Sequence, residues 1–200
     1  MTLDAAVVGL GNPGPRYERN RHSIGYRVVA RVAQQFEVRL SRRGFQCRLA
    51  SLHLEGKTVL LAQPQTFMNA SGAAVEALVD FYRIPYDRLL VCSDDIDLPF
   101  GVLRLRPAGG SGGQRGIQSI IDALGSAEFP RLRIGIDRPP ENIDPADYVL
   151  EDFGPLEQMR LDEIVGRAAG AVETFIRAGL QAAMNRYNGE ADPQGNQSGD

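Results

Sequence analysis

Short apolar runs alternate with segments of helical periodicity along this chain, and that alternation limits its possible folds more than any other feature. Residues 5–10 are almost continuously apolar, as expected for a strand buried on both faces of a sheet. Apolar residues then recur every four positions from residue 24 to residue 36, which indicates an amphipathic helix. Repeated alternation of strand and helix is typical of an α/β fold.

The other predicted elements continue this pattern as far as a long helix over residues 155–180. One hairpin interrupts it, because two predicted strands are joined through Glu55-Gly56-Lys57. We therefore predict a single α/β domain in which helices surround a mixed, twisted β-sheet. The remaining strands are predicted at residues 45–54, 58–62, 88–92, 102–106 and 131–136, and the remaining helices at residues 75–82 and 117–124.

Length and composition fit one such domain. The chain has 200 residues, of which 43% are hydrophobic and 24% charged, and these values are ordinary for a globular protein. We expect the domain to cover residues 1–187 and the polar segment 188–200 to form a disordered C-terminal tail. The tail carries three acidic residues and no basic one, so removing it from the net charge of −3 leaves a nearly neutral domain.

The basic residues are almost all arginine, since Lys57 is the single lysine among the 22. A protein of negative net charge has no overall field that attracts nucleic acid. Arginine, however, presents a planar pair of donors that suits phosphate, so a few arginines on one face can form a local clamp. Two pairs are predicted to share a strand face, Arg104 with Arg106 and Arg131 with Arg133.

No targeting or metal-binding pattern is recognisable in the sequence. Cys47 and Cys92 lie among apolar residues and are predicted to be buried core residues, neither disulfide-bonded nor zinc-bound. We find no signal peptide pattern and no apolar run long enough to span a bilayer. We therefore expect a cytoplasmic protein with no membrane partner and no metal.

Two glycine-rich segments match known motifs only formally. Residues 9–14 fit the dinucleotide-binding fingerprint, but helical periodicity starts only near residue 24, so a nicotinamide oxidoreductase is an alternative that rests on this segment alone. Residues 109–113 fit the nucleophile elbow around Ser111, yet both histidines precede it, which excludes the α/β-hydrolase order. That loop is either a plain connection or an anion site with Arg115 beside it.

Polar residues at predicted strand ends are the candidates for chemistry. His22 lies between a strand end and an amphipathic helix, which is a suitable place for a general base, whereas His53 on an alternating strand is predicted to be structural. A catalytic histidine needs a partner that fixes its tautomer, and Asp94 or Asp97 is placed to supply one. Asn69 is suited either to cap a helix or to offer its amide to a ligand carbonyl.

Phe67 and Met68 are large apolar residues in an otherwise polar loop, and they are either plugs into the core or walls of a site. Several such motifs follow one another in order: Val8-Gly9-Leu10-Gly11-Asn12-Pro13-Gly14, Tyr17, Arg21-His22, Thr66-Phe67-Met68-Asn69, Ser71-Gly72, Asp94, Asp97-Leu98-Pro99, residues 109–116 and Arg131-Leu132-Arg133-Ile134-Gly135-Ile136. From about residue 7 to residue 187, this set resembles the bacterial peptidyl-tRNA hydrolase family. The whole set is far more specific than either glycine-rich motif alone.

The resemblance implies hydrolysis of the ester between a peptide and the 3′-terminal ribose of tRNA, which releases free tRNA from prematurely dissociated peptidyl-tRNA. It implies that His22 activates the attacking water and that Asp94 orients His22. Asn69 would hold the water or the scissile carbonyl and help to stabilise the oxyanion. Asn12 would contact the peptide backbone and help to reject substrates with a free amine.

The same resemblance implies that tRNA is the partner, that DNA is not, and that the enzyme is a monomer without cofactor or metal. Tyr17 and Phe67 would contact the 3′ end of the substrate, and Met68 would line the groove. Arg106 and Arg133 would meet the 5′ phosphate of the acceptor stem.

The chain departs from the family at Gln114-Arg115, where the usual pair is His-Asn. The family's asparagine contacts tRNA, and Arg115 would bind phosphate or the carbonyl in its place. Non-catalytic relatives of this fold act in RNA splicing, so an RNA-binding module without turnover is the alternative to the esterase.

Overall fold

The computed structural model describes residues 3–188, and its strands and helices alternate as the apolar pattern predicts. The strands are β1 (Ala5–Gly9), β2 (Arg42–Gly44), β3 (Cys47–Leu54), β4 (Lys57–Pro64), β5 (Leu89–Asp95), β6 (Leu103–Arg106) and β7 (Arg131–Gly135). The helices are α1 (Ile24–Gln35), α2 (Ser71–Tyr82), α3 (Arg115–Leu124), α4 (Pro145–Tyr148), α5 (Pro155–Ala178) and α6 (Leu180–Tyr187).

All seven strands form one sheet in the order β2-β3-β4-β1-β5-β7-β6. The central strands β4, β1, β5 and β7 are parallel, whereas β3 pairs antiparallel with β2 and β4, and β6 with β7. The predicted mixed α/β sheet is therefore confirmed. The chain leaves β1 toward β4 but leaves β5 toward β7, so a crevice opens between the carboxyl ends of β1 and β5, where such sheets bind ligands.

Helices cover both faces of the sheet, and β1 contributes to both cores. Val7 packs in the cluster formed with α1 and α5, and Val8 packs in the cluster formed with α2 and α3. Both side chains are fully buried, as predicted for a strand that is apolar on both faces. The burial of apolar surface on two sides holds the centre of the sheet rigid at the crevice.

The structure differs from the sequence prediction at three elements. The helix predicted over residues 155–180 ends at Ala178, because Gly179 adopts a φ of +85° and α6 begins as a separate helix after it. β2 was missed because it is only three residues long and carries two arginines. α4 was missed because it is a single turn, started by Pro145 after the capping side chain of Asp144.

The C-terminal end of the described chain is attached to the sheet. The side chain of Asn188 accepts a hydrogen bond from the backbone N of Leu105 at 2.6 Å and donates one to the Leu105 carbonyl at 3.1 Å. The rest of the predicted disordered tail, residues 189–200, lies outside the described residues. Within residues 3–188, no helix is both long enough and apolar enough to cross a membrane.

Candidate active site

A cavity of about 710 Å³ opens at the crevice between β1 and β5. It brings together almost all of the site residues predicted from the sequence, and Arg106 is the exception, since it lies outside the lining. The predicted residues that line the cavity are Asn12, Tyr17, His22, Phe67, Met68, Asn69, Asp94, Arg115 and Arg133.

Two glycines allow α1 to begin directly against the strand ends. A Cβ atom on Gly25 would overlap the carbonyl oxygen of Cys92 in β5, and one on Gly9 would overlap the carbonyl oxygen of Gly25. The first turn of α1 therefore presses against the carboxyl ends of β1 and β5. This close approach places the 3₁₀ turn Arg21–Ser23, which contains His22, at the bottom of the cavity.

His22 is paired with Asp94 and not with Asp97. Its Nδ1 lies 2.8 Å from Asp94 Oδ2, and the two side chains are only 9% and 2% exposed. Asp97 instead accepts a hydrogen bond from Arg138 at 2.7 Å on the surface. The structure thus decides between the two carboxylates that the sequence left open.

The pKa of His22 is set by opposing effects. Burial alone would lower this pKa, but the charge of Asp94 and its hydrogen bond raise it, and the net pKa lies above the ordinary value of 6.5. Arg115 at the cavity mouth acts in the opposite direction to Asp94. The pair therefore holds a proton on the imidazole more tightly than a solvated histidine does.

A hydrogen bond between the Asn12 side chain and the Met68 backbone joins the two residues near the end of β1. The Asn12 side chain is buried, and its Oδ1 accepts a hydrogen bond from the Met68 backbone N at 2.8 Å. Because the amide oxygen is used in this way, the amide nitrogen is the donor left for a ligand in the cavity. Met68 is buried in the core and lines the cavity as well, so it is both a plug and a wall.

Phe67 and Tyr17 form the apolar side of the cavity mouth. Their rings meet edge to face with centroids 6.3 Å apart, and Phe67 is 60% exposed. Phe67 is therefore a wall of the site and not a plug. Asn69 follows in the 3₁₀ turn Met68–Ala70, and Ala70 is the N-cap residue of α2, so the helix-cap interpretation of Asn69 was wrong.

The glycine-rich loop before α3 is anchored and not a plain flexible connection. The buried Arg131 side chain donates hydrogen bonds to the carbonyls of Gly110 and Ala127, at 2.8 and 3.0 Å. Gly112 and Gly113 adopt φ values of +57° and +82°, which glycine accepts without strain. Binding of an anion by this loop stays a prediction.

Four arginines meet on one face of the β6–β7 pair. Arg104 lies opposite Arg133, and Arg106 lies opposite Arg131. Arg133 donates to the carboxylate of Asp95, whereas Arg106 is exposed and forms no ion pair with the part of the chain described here. Because Arg131 is buried and Arg133 is paired, the positive charge that this edge offers to a ligand comes mainly from Arg104 and Arg106.

Two parts of the cavity wall were not among the site residues predicted from the sequence. One is the wall formed by Asp144, Pro145, Ala146, Val149 and Leu150, which carried no recognisable motif. The other is Gln114, which lines the cavity and donates a hydrogen bond to Asp94 Oδ1 at 3.0 Å. Its position three residues before the predicted helix at 117–124 was the available signal, because polar residues near the start of a helix often cap it.

Residues 6–195 match the family model described as peptidyl-tRNA hydrolase. Peptidyl-tRNA hydrolases from Roseiflexus sp. and Chloroflexus aurantiacus are 52% and 50% identical to the chain over 183 residues, which is 91% of this chain and 84% and 97% of theirs. The chain belongs to the peptidyl-tRNA hydrolase family. A crystal structure of peptidyl-tRNA hydrolase from Acinetobacter baumannii superposes with a TM-score of 0.86 at 33% identity, covering 92% of this chain and 94% of that one.

Membership in this hydrolase family confirms the resemblance inferred from the motifs and makes the chain an enzyme. It does not favour the alternative of an RNA-binding module without turnover. The oxidoreductase alternative also lacks its structural basis, because the segment after Gly9 runs as a loop until the turn at Arg21, and α1 begins only at Ile24. A dinucleotide fingerprint needs the helix to open within the motif.

Proposed function

We propose that this cavity is where the chain hydrolyses peptidyl-tRNA, with a water molecule activated by His22 as the nucleophile. The observation that carries the proposal is the buried hydrogen bond of 2.8 Å between His22 Nδ1 and Asp94 Oδ2. With Nδ1–H donated to the carboxylate, Nε2 is the nitrogen that accepts a proton. The bond to be broken is the ester between the peptide and the 3′-terminal ribose.

Water suits this reaction better than a protein nucleophile. Burial raises the pKa of both Cys47 and Cys92 to about 12, so neither thiol is ionised near neutral pH, and both are buried core residues as predicted. An ester is more reactive than an amide, so one general base that deprotonates water is sufficient. His22 is the buried histidine at the cavity, whereas His53 lies exposed on β3.

The proposed steps use the residues around the cavity in turn. His22 Nε2 takes a proton from water as the oxygen attacks the ester carbonyl, and the Asp94 carboxylate stabilises the imidazolium that forms. The amide of Asn69 donates to the oxyanion of the tetrahedral intermediate. The imidazolium then returns the proton to the departing ribose oxygen while Asn12 holds the peptide backbone. The products are free tRNA and a peptide carboxylic acid, which loses its proton to the solvent.

The tRNA end is proposed to lie along the β6–β7 edge. Arg106 and Arg133 are assigned to the 5′ phosphate of the acceptor stem, while Arg115 is assigned to a phosphate or the ester carbonyl. Tyr17 and Phe67 are assigned to the 3′ end. We also propose, as the family resemblance implies, a monomer that acts in the cytoplasm, where translation supplies its substrate.

Turnover separates this proposal from simple RNA binding. Incubation of the protein in excess with N-blocked aminoacyl-tRNA should release free tRNA, because a single turnover needs only one bound substrate. Binding without release would instead support the RNA-binding module. Aminoacyl-tRNA with a free amine is the matched control, and it should be cleaved poorly.

The raised pKa of His22 predicts the pH dependence of activity. The base must be neutral to accept a proton, so kcat/KM should fall as pH is lowered through this pKa, with a midpoint above 6.5. Asp94→Asn removes the charge that raises the pKa, so its midpoint should fall below that of the unaltered protein. The raised pKa also stabilises the fold, fully below the unfolded pKa, and this contribution is lost as pH rises through the folded one. A midpoint that Asp94→Asn does not lower would refute the pairing.

Replacement of Arg106 by glutamine should weaken the binding of every tRNA alike. Loss of one phosphate contact makes the association constant less dependent on salt. The slope of log K against log salt concentration should become shallower by about one. The matched control is Arg43→Gln, an exposed arginine on β2 at the opposite edge of the sheet, which should change neither affinity nor slope. An effect confined to certain peptides would count against the clamp.

A further inference from the structure

The carboxylate of Asp94 is shared between two side chains, and only one of them takes part in the proposed steps. Oδ2 lies 2.8 Å from His22 Nδ1, while Oδ1 accepts a hydrogen bond from Gln114 Nε2 at 3.0 Å. Asp94 is buried, so bulk water does not compete for either oxygen. The two hydrogen bonds therefore fix the plane of the carboxylate.

We propose that Gln114 is a positioning residue for the reaction, which holds Asp94 in the orientation that keeps His22 Nε2 directed at the substrate. This inference rests on the proposed function of the cavity. In this proposal Gln114 does not contact the substrate. Its effect passes through Asp94 to the imidazole, because an aspartate free to rotate would let the histidine ring turn with it.

The orientation of the Gln114 amide is determined by the start of α3. Gln114 is the N-cap residue of this helix, and its Oε1 accepts a hydrogen bond from the Ile117 backbone N at 2.7 Å. The first N–H groups of a helix have no partner within the helix, so this bond satisfies one of them. A flipped amide would place oxygen against the Asp94 carboxylate and nitrogen against the Ile117 N–H. Both contacts would be repulsive, so the amide nitrogen must face Asp94.

The use of an amide also makes the contact independent of pH. An amide has no titratable group, so the Gln114 amide donates to Asp94 at every pH at which the protein is folded. The charged groups that act on the His22 ring are then Asp94 and Arg115. Gln114 also couples the base to the glycine-rich loop, because its backbone N donates to the Ser111 carbonyl at 3.1 Å.

Gln114→Glu tests the proposal with little change in shape. The glutamate keeps an oxygen for the Ile117 N–H. At a pH at which its carboxyl is ionised, it loses the donor to Asp94 and adds a second negative charge beside it. We expect the pKa of His22 to rise, because a second carboxylate adds to the negative charge that favours the imidazolium. We expect kcat to fall by about 10- to 100-fold, because the base is no longer held in place, with KM nearly unchanged.

The pKa is measured by NMR titration of the imidazole rings in the protein without substrate. The chain has two histidines, and His53, exposed on β3 with its Nδ1 near Thr58 Oγ1, is the internal reference, since the substitution lies far from it in the sheet. Gln118→Glu is the matched control for charge on α3, since Gln118 donates to Asp122 on the surface. It should leave the His22 titration and kcat as they are.

The two readouts together decide the role of Gln114. A rise in the His22 pKa with a fall in kcat supports it, whereas either change alone, or a change confined to KM, overturns it. If Gln114→Glu does not fold, Gln114→Asn serves, because its shorter amide cannot reach both Asp94 and Ile117, and unchanged kcat would then overturn the proposal. If the unaltered protein shows no turnover, the proposed function fails, and the titration still shows whether Gln114 holds Asp94.

Discussion

Replacement of His22 by alanine should reduce kcat for peptidyl-tRNA hydrolysis by about 10²- to 10⁴-fold, the usual contribution of a general base. The variant loses the nitrogen that takes a proton from water, while the surfaces assigned to tRNA stay intact. Its affinity for tRNA should therefore be nearly unchanged. Single-turnover release of tRNA from an N-blocked aminoacyl-tRNA measures the first quantity, and equilibrium binding of deacylated tRNA measures the second.

His53→Ala is the matched control for this experiment. His53 is exposed on β3, where it contacts Thr58, and it does not belong to the cavity lining. Its replacement should leave both turnover and affinity unchanged. Full activity of His22→Ala would show that another group is the base, and an equal loss of turnover and affinity would show that His22 supports the tRNA surface instead.

Replacement of Arg21 by methionine should lower the free energy of unfolding by about 3 kcal/mol, because it removes one partner of a mostly buried ion pair. Arg21 lies 2.8 Å from Glu157, and the two side chains are 8% and 23% exposed. The guanidinium also stacks over the Tyr148 ring at 4.1 Å and donates to the Asp152 carbonyl at 2.8 Å. The partial exposure of Glu157 places the expected loss at the lower end of the range for buried pairs.

Urea unfolding of three variants checks this prediction. The double variant Arg21→Met with Glu157→Gln should recover part of the stability, since it no longer buries an unpaired carboxylate. Arg19→Met is the control, because the ion pair of Arg19 with Asp152 is long, at 3.6 Å, and its side chain is 69% exposed. It should cost less than about 1 kcal/mol. Equal losses for Arg19→Met and Arg21→Met would contradict the role of burial.

The stability of this ion pair also bears on the site. Arg21 and His22 donate backbone hydrogen bonds to the carbonyls of Glu151 and Val149, at 3.0 and 2.8 Å. The segment that includes α4 is therefore hydrogen-bonded to the Arg21–Ser23 turn, which also contains the proposed base His22. Loosening Arg21 should widen the cavity on that side before the sheet unfolds.

The fold class followed from local patterns, because each pattern reports on burial along one element. The apolar run at residues 5–10 predicted a strand buried on both faces, and β1 is such a strand. The pattern could not show β2, since three residues with two arginines carry no alternation. It also could not show the break at Gly179, because the apolar face continues from α5 into α6.

The candidate residues were likewise recognisable, but their contacts were not. The resemblance supplied His22, Asn12, Asn69 and Asp94, whereas reasoning from the residues alone left Asp94 and Asp97 as equal partners for His22. Which of the two carboxylates pairs with His22 depends on the alignment of β1 with β5, in which Gly9 lies beside Cys92. That alignment brings together side chains 72 positions apart, and spacing in the sequence contains no such information.

The sequence by itself determined the order of strands and helices and the kinds of side chain that the chain offers for chemistry, because periodicity and residue type are local properties. Only the tertiary structure decided which of them meet. It joined Asp94 to His22, set the arginines of β6 against those of β7, and brought the Gln114 amide from the start of α3 to the other oxygen of Asp94. The reason is physical: strand register and the close packing of α1 at Gly25 position these groups, and both depend on contacts between distant segments.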